Sequence, residues 1–252
     1  MAPLPTFIRA RVRLAVASAL VVAVVVAVVA SAPSPAVAAA PTPVAAPSVS
    51  TARLRFVAFG DSLTSGYKTP GPSWPSLLAS TRTDIQLVHN AGVVGDTTKG
   101  LLARIDRDVY AYSPDLLTIF VGLNDLSRCG RVTQVLANIE TIVAGARAHG
   151  IPRIVLILNS HTIGFNSKSG HSCGPMLQVR IDQLDDALLA YGDAAGIQTI
   201  DLRPVMDTHG HYTKAYLVSD GVHFNNRGVA VVSQAISDQL TAGFRRHLRG
   251  PR

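Results

Sequence analysis

Three patterns of apolar and polar positions follow one another along this chain. Leu14 to Ala30 is an unbroken apolar run of 17 residues, all Leu, Val or Ala but for one Ser. Ser31 to Ser50 then loses all periodicity and is rich in Ala, Pro, Val and Ser. From Leu54 onward, short apolar runs alternate with longer stretches of helical period. The runs Leu54–Phe59, Ile85–His89, Leu116–Val121, Ile154–Leu158 and Gln198–Asp201 predict five short strands. Several are continuously apolar, as parallel strands buried on both faces are. Helices are predicted near Trp74–Ser80, Thr98–Tyr110, Thr133–His149 and Met176–Ala195, with a last one over Asn226–Leu248. Gly150 and Gly196 stand where helix stop signals belong.

Alternating β and α elements imply an α/β fold, a three-layer α/β/α sandwich around a five-stranded parallel sheet. In such sheets the working residues gather beyond the carboxyl ends of the strands. With 48% hydrophobic and 15% charged residues the chain has material for one sizeable core.

The first two patterns change the expected location. Arg9, Arg11 and Arg13 precede the apolar run, and Ala36-Val37-Ala38 follows it as a small-x-small site. Residues 1–38 therefore read as a secretory signal peptide, or else as an uncleaved anchor at the lower length limit for a membrane span. Residues 39–52 read as a Pro/Ala-rich spacer and 53–252 as the catalytic domain. Either reading puts the protein outside the cytoplasm, secreted or membrane-anchored. The arginines are not adjacent, so a twin-arginine signal is not supported. The formal charge of +7 falls to +4 once the three arginines before Ala38 are set aside. The remaining basic residues are dispersed and carry no nucleic-acid module, so no nucleic-acid partner is expected. Arg245, Arg246, Arg249 and Arg252 read as a solvated helix end, with weak attraction to an acidic envelope or membrane surface as the alternative.

Four short blocks carry chemistry. Gly60-Asp61-Ser62-Leu63 follows the first predicted strand and offers Ser62 as a nucleophile whose own amide faces a developing oxyanion. Gly92-Val93-Val94-Gly95-Asp96 follows the second and offers the backbone amide of Gly95; Gly92 reads as an ordinary loop glycine. Gly122-Leu123-Asn124-Asp125 follows the third and offers the Asn124 amide, a donor without titratable charge. Asp220-Gly221-Val222-His223, before the last helix, supplies a general base and the carboxylate that fixes its tautomer. Serine acyl transfer needs this set of roles. Read singly, Ser62 is a helix cap and Asn124 a turn residue. Their order beyond successive strands is what favours catalysis.

These blocks are similar to those of the GDSL, or SGNH, hydrolase family, and the resemblance runs from about Leu54 to Asn225. It implies Ser62, Asp220 and His223 as the triad and Ser62, Gly95 and Asn124 as the oxyanion hole. It also implies a flavodoxin-like sheet and an esterase, lipase, thioesterase or carbohydrate esterase activity needing no metal and no cofactor. Leu123 stands where the family often has a smaller residue. The expected partner is a small or medium soluble ester, a lipid ester or a glycan ester. A non-catalytic glycan- or lipid-binding module on the same fold is the alternative, though such a module is expected to lack Ser62, Asn124 or His223. A flavodoxin-like cofactor protein is disfavoured because no dinucleotide fingerprint follows the first strand.

Further residues bear on the substrate. Asn159 to Pro175 is long for a connection and carries His161, Phe165, His171 and Cys173, so it is expected to wall the pocket. Tyr67 and Trp74 are candidates for the opposite wall, with packing of the first helix favoured for Trp74. His209 and His211 alternate like metal ligands but lack a further ligand set. Cys129 and Cys173 are the only two cysteines. An exported chain is expected to pair them, with two free thiols as the alternative.

Overall fold

The computed structural model describes residues 53–164, 173, 176–208 and 211–248. The signal, anchor and spacer expected in residues 1–52 lie outside these, as do Phe165, His171, His209, Arg249, Arg252 and the side chains of Arg245 and Arg246.

Five strands form one sheet: β1 (Leu54–Gly60), β2 (Ile85–Gly92), β3 (Leu116–Phe120), β4 (Arg153–Ile157) and β5 (Gln198–Ile200). All neighbours are parallel, in the order β2-β1-β3-β4-β5. β3 is buried throughout, and β1 and β4 are buried over most of their lengths, whereas the edge strands β2 and β5 are only partly covered. This division explains the sequence pattern, because only strands covered on both faces read as unbroken apolar runs. Fully burying each of Phe56, Phe59, Leu116 and Phe120 contributes roughly 1.5–3 kcal/mol.

The helices are α1 (Ser62–Ser65), α2 (Trp74–Thr81), α3 (Thr98–Asp108), α4 (Leu123–Ser127), α5 (Val132–Ala148), α6 (Met176–Ala195), α7 (Arg203–Met206) and α8 (Asn226–Leu248). α2 packs on α8, while α3, α5 and α6 pack side by side, so helices flank the sheet. A short antiparallel hairpin, β6 (Asp207–Thr208) with β7 (His211–Tyr212), follows α7. α3 stops at Asp108, two residues short of the expected end, and Tyr110–Tyr112 form a separate 3-10 turn. β2 runs three residues past His89 because Asn90, Ala91 and Gly92 continue pairing with Ala58, Phe59 and Gly60.

That extension sets the level of the site. Gly60 lies opposite Gly92 on one side and opposite Phe120 on the other. β1, β2 and β3 therefore end at the same edge, and the segments carrying Ser62, Gly95 and Asn124 leave the sheet side by side. The order reverses at β1, whose two neighbours are reached by connections in opposite directions. A crevice beyond the carboxyl ends is the result.

Candidate active site

Ser62 opens α1, and Asp61 caps that turn by accepting the amide of Leu63 at 2.9 Å. Ser62 is only 7% exposed. Its Oγ lies 2.9 Å from Nε2 of His223, and Nδ1 of His223 lies 2.7 Å from Oδ2 of Asp220. A carboxylate at Nδ1 selects the tautomer with the proton there, leaving Nε2 free to accept from the serine hydroxyl. Oδ1 of Asp220 accepts the amides of Val222 and His223 at 2.9 and 3.0 Å, so one tight turn orients both partners. Burial opposes ionisation of Asp220. The amide and ring of His223, the amide of Val222 and the Lys68 ammonium outweigh it, holding the carboxyl well below its ordinary range.

Asn124 lies in the first turn of α4 and is buried, donating through Nδ2 to Oδ2 of Asp61 at 3.2 Å. One amide hydrogen is thereby fixed, which orients the other. Gly95 has φ +75°, a left-handed backbone that glycine adopts without strain. A Cβ there meets only Nη2 of Arg128, at 3.6 Å. In this structure conformation rather than crowding demands the glycine. Arg128 also donates to the Gly95 carbonyl at 2.9 Å, linking the segments after β2 and β3. Gly92 is not an ordinary loop glycine: it ends β2, and a Cβ on it would lie 2.2 Å from the backbone nitrogen of Ser65. Its lack of a side chain lets α1 sit against the strand.

Sequence reasoning missed three residues that hold this arrangement. Asp61 is buried, and desolvation pushes its pKa up to about 7 against the Leu63 amide, with Asp125 and Asp96 adding to the rise. Arg104, on α3, is buried too. It donates to the carbonyls of Gly60 and Ala91, each at 2.9 Å, and pairs with Asp96 and Asp108 at 2.7 Å. It thus ties the ends of β1 and β2 to the residue after Gly95. Asp125 accepts the amide and hydroxyl of Thr98, at 3.0 and 2.7 Å, joining the Asn124 segment to the start of α3. Asp61 stands inside the first block, so its position was a usable signal; Arg104 lies in no motif.

The expected pocket walls are resolved differently. Trp74 is fully buried against Phe56, at 6.2 Å between rings, and belongs to the core. Tyr67 is 41% exposed, with its ring edge-on to that of His223 at 5.0 Å. After β4, Asn159, Ser160 and Thr162 are buried. Thr162 Oγ1 and the Ile163 amide both donate to the Gly221 carbonyl, at 2.9 and 3.1 Å. The first part of this loop thus buttresses the turn bearing Asp220 and His223. His161 points away, between Asp182 at 2.7 Å and Asp207 at 3.4 Å. The sulfurs of Cys129 and Cys173 lie at bonding distance, with Cα atoms 5.1 Å apart. Among the described residues, no group of three or more His, Cys, Asp or Glu side chains is arranged to hold a metal.

Comparison with known proteins bears on the family and the fold. Residues 58–231 match the family model of the GDSL-like lipase/acylhydrolase family. An arylesterase of Vibrio mimicus is 28% identical over 211 residues, covering 77% of this chain and 91% of the relative. The lipase/acylhydrolase of Enterococcus faecalis superposes with a TM-score of 0.63 at 26% identity, covering 75% of this chain and 96% of its own. A catalytic mutant of an acetylxylan esterase from Geobacillus stearothermophilus shares the fold, with a TM-score of 0.60 at 19% identity, covering 74% of this chain and 93% of that one. The chain belongs to the GDSL-like lipase/acylhydrolase family and is a carboxylic ester hydrolase.

Proposed function

We propose that the protein is an extracytoplasmic serine esterase acting on small or medium esters through an acyl-enzyme. The observation that carries this reading is the continuous hydrogen-bonded relay Ser62–His223–Asp220. In the proposed cycle Nε2 of His223 takes the Ser62 proton as Oγ attacks the ester carbonyl. The amides of Ser62 and Gly95 and Nδ2 of Asn124 receive the oxyanion as its charge develops. His223 then protonates the departing alkoxide. Water, deprotonated in turn by His223, releases the acid and restores Ser62. Asp220 remains ionised throughout and stabilises the imidazolium.

The arylesterase relative makes phenyl and p-nitrophenyl esters the first substrates to assay. Export rests on the pattern of residues 1–38 and on the Cys129–Cys173 pair, since disulfides persist in oxidising compartments. An intact relay would serve a non-catalytic binding module no purpose. One experiment tests activity and location together. A membrane-impermeant fluorophosphonate probe, applied to intact producing cells and their medium, is expected to label the wild type and not Ser62→Ala. Equal labelling of both forms, or labelling only after lysis, would count against the serine assignment or the location respectively.

A further inference from the structure

The ammonium of Lys68 lies 2.9 Å from Oδ2 of Asp220, the same oxygen that receives the ring of His223 at 2.7 Å. The carboxylate oxygen nearest the imidazole is therefore shared with a second cationic group. Lys68 reaches it from a left-handed backbone, φ +60°, a region that side chains avoid and glycine tolerates. The segment does not depend on the ammonium for its place. Thr69 Oγ1 donates to the Phe224 carbonyl at 2.9 Å, and the Tyr67 amide donates to the Ser62 carbonyl at 3.2 Å.

We propose that Lys68 is a positioning residue for the proton relay: by drawing on Asp220 Oδ2, it keeps His223 neutral and proton-accepting to lower pH. This rests on the triad reading above. The physical reason is charge competition. An ionised Asp220 stabilises the imidazolium, and a second cation on the same oxygen opposes that stabilisation. Esterase activity then extends further into acid than the same triad without the lysine would allow.

Other ionisable groups sort clearly around the pair. From the segment after α1, Lys68 and Tyr67 face it. The loop after β4 meets its turn through Thr162 and Ile163, which do not titrate, while His161 faces Asp182 and Asp207. The start of α8 is reached through Phe224 and Asn225, and Arg227 there lies over the Tyr216 ring. Asp61, next to Ser62, is directed at Leu63 and Asn124 but titrates near neutrality. A rate profile alone would mix Asp61 with the relay, so the imidazole must be observed directly.

The test compares wild type, Lys68→Met and Lys68→Arg in the full chain. It uses kcat/KM for phenyl acetate against pH at low salt, and nitrogen-15 NMR titration of the His223 ring in Ser62→Ala with and without Lys68→Met. The expected result is an acid limb displaced upward by about 0.5–1 pH unit in Lys68→Met and unmoved in Lys68→Arg, with the same displacement in the ring titration. Because Lys68 is 47% exposed, added salt is expected to shrink the difference. A uniform loss of activity with an unmoved ring titration would reduce Lys68 to a structural role. A limb that moves without the ring would not report His223. Either result overturns the proposal. The ring titration needs no turnover, so it is read independently of whether Ser62→Ala abolishes activity, which is the point on which the triad reading itself stands or falls.

Discussion

The two halves of the site are held by different means. Ser62, Gly95 and Asn124 follow strands that end level with one another, and buried polar groups fasten them from behind: Asp61 to Asn124, Asp125 to Thr98, Arg104 to the ends of β1 and β2. Asp220 and His223 follow no strand of the main sheet. They sit on a turn braced by Thr162 and Ile163 on one side and by Lys68 and Thr69 on the other. The carboxyl groups flanking Ser62 reflect this contrast. Burial pushes Asp61 up, and paired donors hold Asp220 down. The half that carries Ser62 inherits its geometry from the sheet, and the half that carries His223 owes its geometry to contacts between loops.

The largest expected effects fall on both halves alike. Ser62→Ala and His223→Ala are each expected to lower kcat by about 10⁴–10⁶ with unchanged circular dichroism, because in the proposed mechanism they act as one unit. Near-normal turnover in either variant would remove the relay from the mechanism. Next, Arg104→Met separates fastening from chemistry. It strips Asp96 of its cation and releases two strand-end carbonyls. A loss of about 3–5 kcal/mol is expected in urea unfolding; a loss below about 1 kcal/mol would show that the sheet needs no such fastening. Asn124→Ala is expected to reduce kcat by about 10²–10³, the usual scale for one oxyanion donor, with KM little changed. An effect confined to KM would assign Asn124 to ground-state binding instead.

The smallest effects are the most discriminating. The folded-state pKa of Asp61, about 7, lies above its reference value of 3.8. The fold therefore binds this proton more tightly than the unfolded chain does. Its contribution is fully present below the reference value and is lost as pH rises through the folded value. Asp220 behaves oppositely: its contribution is present above 3.8 and is lost as pH falls toward its depressed folded value. Urea melts across pH should show Asp61→Asn flattening a decline toward neutrality and Asp220→Asn flattening a decline toward acid. Parallel pH curves for both variants and the wild type would abolish the distinction between the halves.

Sequence carried the strand-borne half well. Continuous apolar runs located the central strands, and the long helices α6 and α8 begin and end at the expected residues, Met176–Ala195 and Asn226–Leu248. Helices of four or five residues, such as α1, α4 and α7, are too short to show a period. The last residues of β2 escaped because Asn90 and Gly92 look like turn residues, although pairing with β1 carries them on. Arg104 was illegible for a different reason. A charged residue in a helix usually signals a solvated face, and only the fold reveals that its guanidinium is enclosed between strand ends. Lys68 likewise gives no sign of its partner, which lies 152 residues away along the chain.

Trp74 has a practical consequence. It is the chain's sole tryptophan, and the core encloses it against Phe56. An indole shielded in this way emits at short wavelength and shifts to the red only when water reaches it. Intrinsic fluorescence will therefore register loss of the packing between β1 and α2. Occupancy of Ser62 must be followed through the optical signal of the acylating reagent instead.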